Sequence, residues 1–319
     1  MEVICGTISA TVTERLDRHI ADTLGMLTRS QLKTRLVRAL INGREVRLSR
    51  LVKGGESFVL ELRTEPEHAA VAEDLVLPII YRDSRVVVVD KPQGMVTHPA
   101  HGNWSGTLAN GLLGLLADRS ARLDPSMPGQ APARAGIVHR LDKDTSGVII
   151  AALDATTQEC LAAQFRDRST RKIYLAIVQG APPEPAGRLE SWLARDPRNR
   201  KRFAPNQEGR GKRAVSDWKI LAAGPAYCLL ALRPRTGRTH QLRVHCRQLG
   251  CPIVGDPIYG SRDRALPGAT LMLHALELSI QLPGETGQRH FVAPLPEHFR
   301  LMLDQLGLTW HPDAVTGSI

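Results

Sequence analysis

Apolar and polar positions change period along this chain, and the changes mark out its elements. Leu16, His19, Ile20 and Leu24 fall on one helical face, and Leu32, Leu36, Val37 and Leu40 fall on another, with Thr28 or Ser30 placed to cap the second helix. Asn42-Gly43 then predicts a hairpin turn, because both residues tolerate positive φ. Gly54-Gly55 predicts a second turn ahead of an alternating strand over 57–62. Further on, 86–89 reads as a buried strand, Lys91-Pro92-Gln93-Gly94 as a turn and 107–116 as a helix. The stretch 118–134, rich in Pro, Ala and Arg, reads as a loop, 155–166 as a helix and 172–178 as a strand.

Two segments break the pattern in a way that points to chemistry. Between the apolar runs Ile137-Val138 and Val148-Ile149-Ile150 lies a polar loop holding His139, Arg140, Asp142, Lys143 and Asp144. So many charges pinned between buried strands are costly unless they face a cleft. The second segment, residues 233–247, carries five arginines and no acid. Thr236-Gly237 predicts a turn, and Thr239 the cap of a helix that Gly250 ends. On that helix Leu242, Cys246 and Leu249 share one face, and His240, Arg243 and Arg247 another. Its N-terminus suits a phosphate. These arginines either contact phosphate or form structural ion pairs. A pairing acid must come from elsewhere in the chain, and Asp142 is a candidate.

Composition narrows the partners. The 319 residues carry 42 Lys+Arg against 32 Asp+Glu, a formal net charge of +10, which favours an anionic partner, nucleic acid before an acidic membrane surface. Residues 11–53 hold ten Lys/Arg against four acids, whereas 64–77 hold four acids and no Lys/Arg. That shift sets the expected boundaries: a small module at 1–63, a linker at 64–77 and a large domain at 78–319. Arg29, Lys33, Arg38 and Arg44 lie off the apolar face of the module, as one basic patch or a merely solvated one. Residues 195–213, with eight Lys/Arg against two acids, read as a phosphate-contacting loop. Five scattered cysteines argue against a disulfide framework, and there is neither a signal peptide nor an apolar run long enough to cross a bilayer. The expectation is a soluble, cytoplasmic monomer with no membrane partner.

Other chemistries fit poorly. Asp144-Thr145-Ser146-Gly147 resembles an aspartic-protease loop, but that chemistry needs two carboxylates sharing a proton and no second copy occurs. His240, His245, Cys246 and Cys251 lack zinc-site spacing, so no metal is expected. A Walker A loop, a Gly-rich nucleotide fingerprint and a zinc-deaminase motif are all absent from the sequence.

Gly136–Gly147, GIVHRLDKDTSG, resembles the signature of the large-subunit ribosomal pseudouridine synthases of the RluA/RluD type. Lys172-Ile173-Tyr174, residues 236–245, residues 250–260 and Leu271-Met272-Leu273-His274-Ala275 are similar to further motifs of that family, in its order. Arg15-Leu16-Asp17-Arg18, Thr28-Arg29-Ser30 and Ile41-Asn42-Gly43 resemble an S4 RNA-binding module, which would make Arg29, Lys33 and Arg44 RNA contacts. The resemblance implies an α+β catalytic domain on a mixed, mainly antiparallel sheet with a central cleft, behind a small S4-like α/β module. It implies isomerisation of uridine to pseudouridine in RNA, breaking C1′–N1 and making C1′–C5 with no cofactor.

By that resemblance Asp142 matches the catalytic aspartate, Tyr174 the active-site tyrosine and Arg243 the arginine that pairs with the aspartate. Arg140 matches a residue tied to base flipping, and Leu273 or a neighbour the apolar contact under the base; His139, Arg238 and His240 read as RNA-facing. The chemistry agrees. A stacked nucleotide must be flipped out before its glycosidic bond can be reached. Moving an aspartate into an apolar pocket favours its neutral form, and an adjacent arginine reverses that. Large-subunit ribosomal RNA is the expected substrate, with transfer RNA second. A catalytically inactive RNA-binding or ribosome-assembly protein is the third reading, against which the intact Asp142, Tyr174 and Arg243 argue.

Overall fold

The computed structural model describes residues 2–9, 13–27, 32, 35–63, 70–100, 102–120, 133–199, 201–260 and 263–311. The chain divides into two compact units, Met1–His68 and Ala69–Ile319.

In the first unit six short strands form two sheets. These are β1 (Glu2–Thr7), β2 (Glu14–Arg15), β3 (Leu36–Ile41), β4 (Arg44–Glu45), β5 (Leu51–Val52) and β6 (Ser57–Leu62). The larger sheet runs β1-β6-β3-β4, and β2 pairs with β5. A helical turn over Leu16–Arg18 widens into a π turn over His19–Thr23. It buries Leu16 and Ile20 against Phe58, Leu60 and Leu62. His19, also fully buried, holds Glu14 at 2.7 Å.

One expectation holds only in part here. The described Leu32 and Arg35 are helical, but Leu36, Val37 and Leu40 belong to β3 and not to that helix, because the neighbouring β6 supplies a ladder along Leu36–Ile41. Their spacing fits either period over so short a run. Asn42-Gly43 does turn the β3–β4 hairpin, with φ of 49° and 75°. Arg44 is exposed on β4, and Arg38 pairs with Glu61 at 2.7 Å. Thr28, Arg29, Ser30 and Lys33 lie outside the described residues.

The second unit is built on a ten-stranded sheet. Its strands are β7 (Ile79–Arg82), β8 (Val86–Lys91), β9 (Ser146–Ala152), β10 (Arg171–Gln179), β11 (Ala186–Arg195), β12 (Phe203–Asn206), β13 (Lys212–Ala223), β14 (Tyr227–Pro234), β15 (Leu273–Gln281) and β16 (Gln288–Val292). The order is β12-β11-β13-β14-β10-β15-β9-β8-β7, with β16 added on β15. β9 and β15 run parallel, and the other pairings are antiparallel. Helices α1 (Leu108–Ser120), α2 (Ala155–Asp167), α3 (Gln241–Gln248) and α4 (Glu297–Gln305) complete an α+β domain.

β9 is buried along its whole length, which matches its unbroken apolar sequence. The parallel pairing of β9 with β15 needs Gly147: its φ is 115°, and a Cβ there would stand 2.2 Å from the Ala275 carbonyl oxygen. Two apolar clusters flank the pairing, one around β10, β14 and α4, the other around β8, β9 and α1, and Tyr174 packs against both. Residues 70–77, within the stretch expected to link the modules, pack on this unit: Leu77 is buried, and Val71 accepts from the Asn110 side chain. The basic stretch 195–213 is only partly a loop, since it supplies β12 and the start of β13. β12 itself, Phe203–Asn206, carries no charge, and the arginines stand in the flanking segments, β13 included.

Candidate active site

The polar loop that enters β9 hangs over a cavity of about 480 Å³, within the range of small-molecule sites. β10 contributes Lys172 and Tyr174 to its wall, β15 contributes Leu273, and residues 234–243 close the far side. All the sequence-derived candidates of this unit line it: His139, Arg140, Asp142, Tyr174, Arg238, His240, Arg243 and Leu273.

Asp142 is held by its backbone. Thr145 N–H donates to the Asp142 carbonyl, which turns the loop, and Leu141 buries its side chain beneath. Residues 91–97, of which the sequence predicts only Lys91-Pro92-Gln93-Gly94 as a turn, bolt this loop in place. Lys91, fully buried, donates from Nζ to the carbonyls of Pro92, Met95 and Lys143 at 2.8–3.1 Å. Thr97 Oγ1 donates to the Leu141 carbonyl, and Gln93 Nε2 to those of Asp144 and Leu271. Burial pulls the Lys91 ammonium down to about 8, against the opposing pull of Asp142 and Asp144.

The arginine beside Asp142 is itself clamped. Arg243 Nη1 lies 3.4 Å from Asp142 Oδ2, while Nε and Nη2 donate to Asp256 at 2.7 Å each. Asp256 also accepts from the backbone N–H groups of Ile258 and Tyr259. Burial alone would push the Asp256 carboxyl up; the Arg243 guanidinium and those N–H groups leave it below its ordinary value. The Tyr259 ring lies under the Arg243 guanidinium, 5.2 Å from centroid to Cζ. The arginine expected to pair with Asp142 therefore has its principal partner in Asp256, which the sequence did not single out. The signal was present: an acid in Gly255-Asp256-Pro257, opposite a helix whose arginines had none.

His240, and not Thr239, caps α3, in the left-handed region at φ 56°. Its Nδ1 lies 2.8 Å from Tyr259 Oη and its Nε2 3.9 Å from Asp142 Oδ2; burial pushes the imidazole below its ordinary value, so at neutral pH it faces Asp142 uncharged. His139 is committed to the protein: its ring stacks on Phe165 at 4.5 Å and its Nε2 accepts from Ile150 N–H. Arg140 is exposed at the rim, and Arg238 braces the carbonyl of Arg213 through Nε.

Tyr174 faces the cavity at a break in register between β10 and β15, where Ile173 opposes Glu277 and Tyr174 opposes Ala275. Burial first, and the negative charge of Asp142 second, push its phenol well above the ordinary value, so it is protonated at neutral pH. Leu273, 4% exposed, adds an apolar wall. The cavity thus sets one carboxylate, flanked by a guanidinium, against a neutral aromatic face and an apolar floor. That arrangement suits a planar neutral base with a reactive carbon held at Asp142.

Residues 85–248 match the family model described as RNA pseudouridylate synthase. The chain is 40% identical over 295 residues to ribosomal large subunit pseudouridine synthase D of Borreliella burgdorferi, covering 91% of this chain and 88% of the relative. It is 37% identical to the protein of that name from Neisseria meningitidis serogroup A, covering 92% and 79%. Among solved structures, human RNA pseudouridylate synthase domain containing 4 superposes with a TM-score of 0.58 at 26% identity, over 73% of this chain and 94% of that one. With the family model spanning half of its length and relatives of this identity spanning nearly all of it, the chain belongs to the RNA pseudouridylate synthase family.

Proposed function

We propose that this RNA pseudouridine synthase modifies uridines of large-subunit ribosomal RNA and that Asp142 is its catalytic carboxylate. The observation that carries the second part is the placement of Asp142 Oδ2 in the cavity, 3.4 Å from Arg243 Nη1 and across from Tyr174 and Leu273. The names of the bacterial relatives support the first part.

The reaction is an isomerisation: C1′–N1 breaks, the freed uracil turns, C1′–C5 forms, C5 releases one proton and N1 takes one up, so the composition of the nucleotide is unchanged. A carboxylate serves this as nucleophile at C1′ or as base at C2′. Arg243 Nη1, 3.4 Å from Asp142 Oδ2, is its cationic neighbour. A protonated Tyr174 supplies a face for uracil to stack on and does not take a proton in this state. Arg140, exposed at the rim, is placed to occupy the space the flipped nucleotide leaves. The first 63 residues form, in this reading, an S4-like module that adds phosphate contacts from its basic side, Arg44 among them.

Asp142→Asn tests the assignment. The variant is expected to form no pseudouridine while binding RNA within about twofold of wild type; full activity would remove Asp142 from the reaction. Mapping pseudouridines transcriptome-wide in a strain lacking the protein tests the substrate. Sites lost from ribosomal RNA support the proposal, and sites lost only from transfer RNA would replace it.

A further inference from the structure

A second concavity, of about 330 Å³, adjoins the active-site cavity and shares with it Arg168, Thr170 and Arg235. Its wall carries five arginines, Arg168, Arg188, Arg213, Arg233 and Arg235, and no acid. Two carboxylates stand behind them. Asp217 accepts from Nε of both Arg188 and Arg235 at 2.6 Å, and Glu190 accepts from Arg213. Among the described residues, five guanidiniums thus line one hollow, with Asp217 and Glu190 as the carboxylates paired to Arg188, Arg235 and Arg213. A polar atom of the wall also lacks a partner: Thr170 Oγ1, which borders both cavities, is buried with no hydrogen-bond partner. A buried hydroxyl left unpaired is costly, and one set among arginines suits an anionic partner.

We infer that this hollow binds a phosphodiester group of the substrate RNA, from the strand that continues past the flipped nucleotide. Guanidinium forks match phosphate oxygens two at a time, and Thr170 Oγ1 supplies a hydroxyl donor at the seam between the two cavities. Because Arg168, Thr170 and Arg235 border both, a phosphate held here lies within a few ångströms of the wall of the uridine site. One bound group would then fix the register of the strand and help offset the cost of unstacking the target. The inference rests on the proposal that the cavity takes a flipped uridine of RNA.

The test compares wild type with R188Q, R213Q and T170V, using R300Q on α4 as a control for loss of one exposed charge. Pseudouridine formation by wild type is first scored on unmodified large-subunit ribosomal RNA and on transfer RNA, and the RNA that is modified is used for binding. If only transfer RNA is modified, the ribosomal reading falls and the hollow is still tested. Affinity is measured from 50 to 200 mM salt. R188Q and R213Q are each expected to bind about tenfold more weakly and to lower the log–log salt slope by up to about 0.9. R300Q is expected to do neither. T170V is expected to weaken RNA binding while leaving the unfolding temperature of the free protein equal or higher, since it removes an unsatisfied buried hydroxyl. Unchanged slopes in R188Q and R213Q, or an equal change in R300Q, would overturn the inference. Saturable binding of inorganic phosphate at constant ionic strength, with the RNA slope unchanged, would overturn it in favour of a free-phosphate site.

Discussion

Arg243 gives the Nε and Nη2 edge of its guanidinium to Asp256, at 2.7 Å to each oxygen, and reaches Asp142 through Nη1 alone, at 3.4 Å. Asp256 is thus the brace that aims the arginine at Asp142. Its side chain has no solvent exposure and that of Arg243 has 4%. Removing one partner of such a pair leaves the other charge buried and uncompensated. Asp256→Asn is expected to lose about 3–5 kcal/mol of stability in urea unfolding. Arg243→Lys keeps the charge and cannot fork, so turnover at saturating RNA is expected to fall on the order of 100-fold through misplacement. A near-wild-type R243K would show that charge alone suffices and that the brace is dispensable.

Lys91 carries a second brace, for the loop and not for the arginine. Its ammonium donates to three carbonyls, one of them on Lys143, next to Asp142. Lys91→Met fills the same volume and removes the donor common to the three, leaving the Lys143 carbonyl with only the Gly94 N–H and the Pro92 carbonyl with only the Met95 N–H, a cost on the order of 3 kcal/mol. The loosening should be local: amide exchange is expected to quicken at Gly94, which donates to the Lys143 carbonyl, and at Thr145, which donates to that of Asp142. Uniform protection across this loop in K91M would mean that the ladder alone holds it.

These two braces mark the limit of what could be read from the sequence. The polar loop, the arginine-rich helix and the β10 tyrosine were legible because their residue types are anomalous where they stand. Asp142, Tyr174 and Arg243 accordingly converge on one cavity. Asp256 and Lys91 were not legible as braces because each is an ordinary residue in a turn motif, and its role exists only once β8, β9 and α3 are brought together. The miss at Leu36–Ile41 has a different origin: apolar residues at 36, 37 and 40 continue the helical spacing that begins at Leu32, itself helical, and only the presence of β6 decides for a strand from Leu36 on. His139 was legible as conspicuous and misleading as to role, since its imidazole is satisfied by Ile150 N–H and Phe165.

Tyr174 is expected to remain a neutral phenol throughout the working range. All four tyrosines, Tyr81, Tyr174, Tyr227 and Tyr259, are pushed above the ordinary value, Tyr174 most strongly and chiefly by burial. Tyrosinate absorbance near 295 nm should therefore not appear below about pH 10 in the folded protein, and the difference between wild type and Y174F should be flat to that point. A tyrosinate signal from Tyr174 below pH 9 would restore it as a base. For binding, Tyr174→Ala is expected to cost about 1–3 kcal/mol of RNA affinity through lost stacking, whereas Y174F keeps the ring and the affinity.

Acid should unfold this protein earlier than its carboxylates require. Burial pulls His139 down to about 3, and His245 and His274 to about 4 each, from an ordinary 6.5. The folded state refuses protons that the unfolded chain accepts, so this stability is complete above pH 6.5 and is lost as pH falls toward the folded values. Asp90 works in the opposite sense: burial raises it to about 6, so it takes up a proton in the folded state over the same interval. Three histidines less one aspartate leave about two protons taken up on unfolding, or about 2.7 kcal/mol lost per pH unit near pH 5. Urea unfolding at pH 6.5, 6.0, 5.5 and 5.0 measures this slope. His139→Gln keeps an acceptor for the Ile150 amide and removes one titrating group, so it should cut the slope by about half. A flat profile in wild type from pH 6.5 to 5.0 would mean that these imidazoles take up protons without loss of their hydrogen bonds.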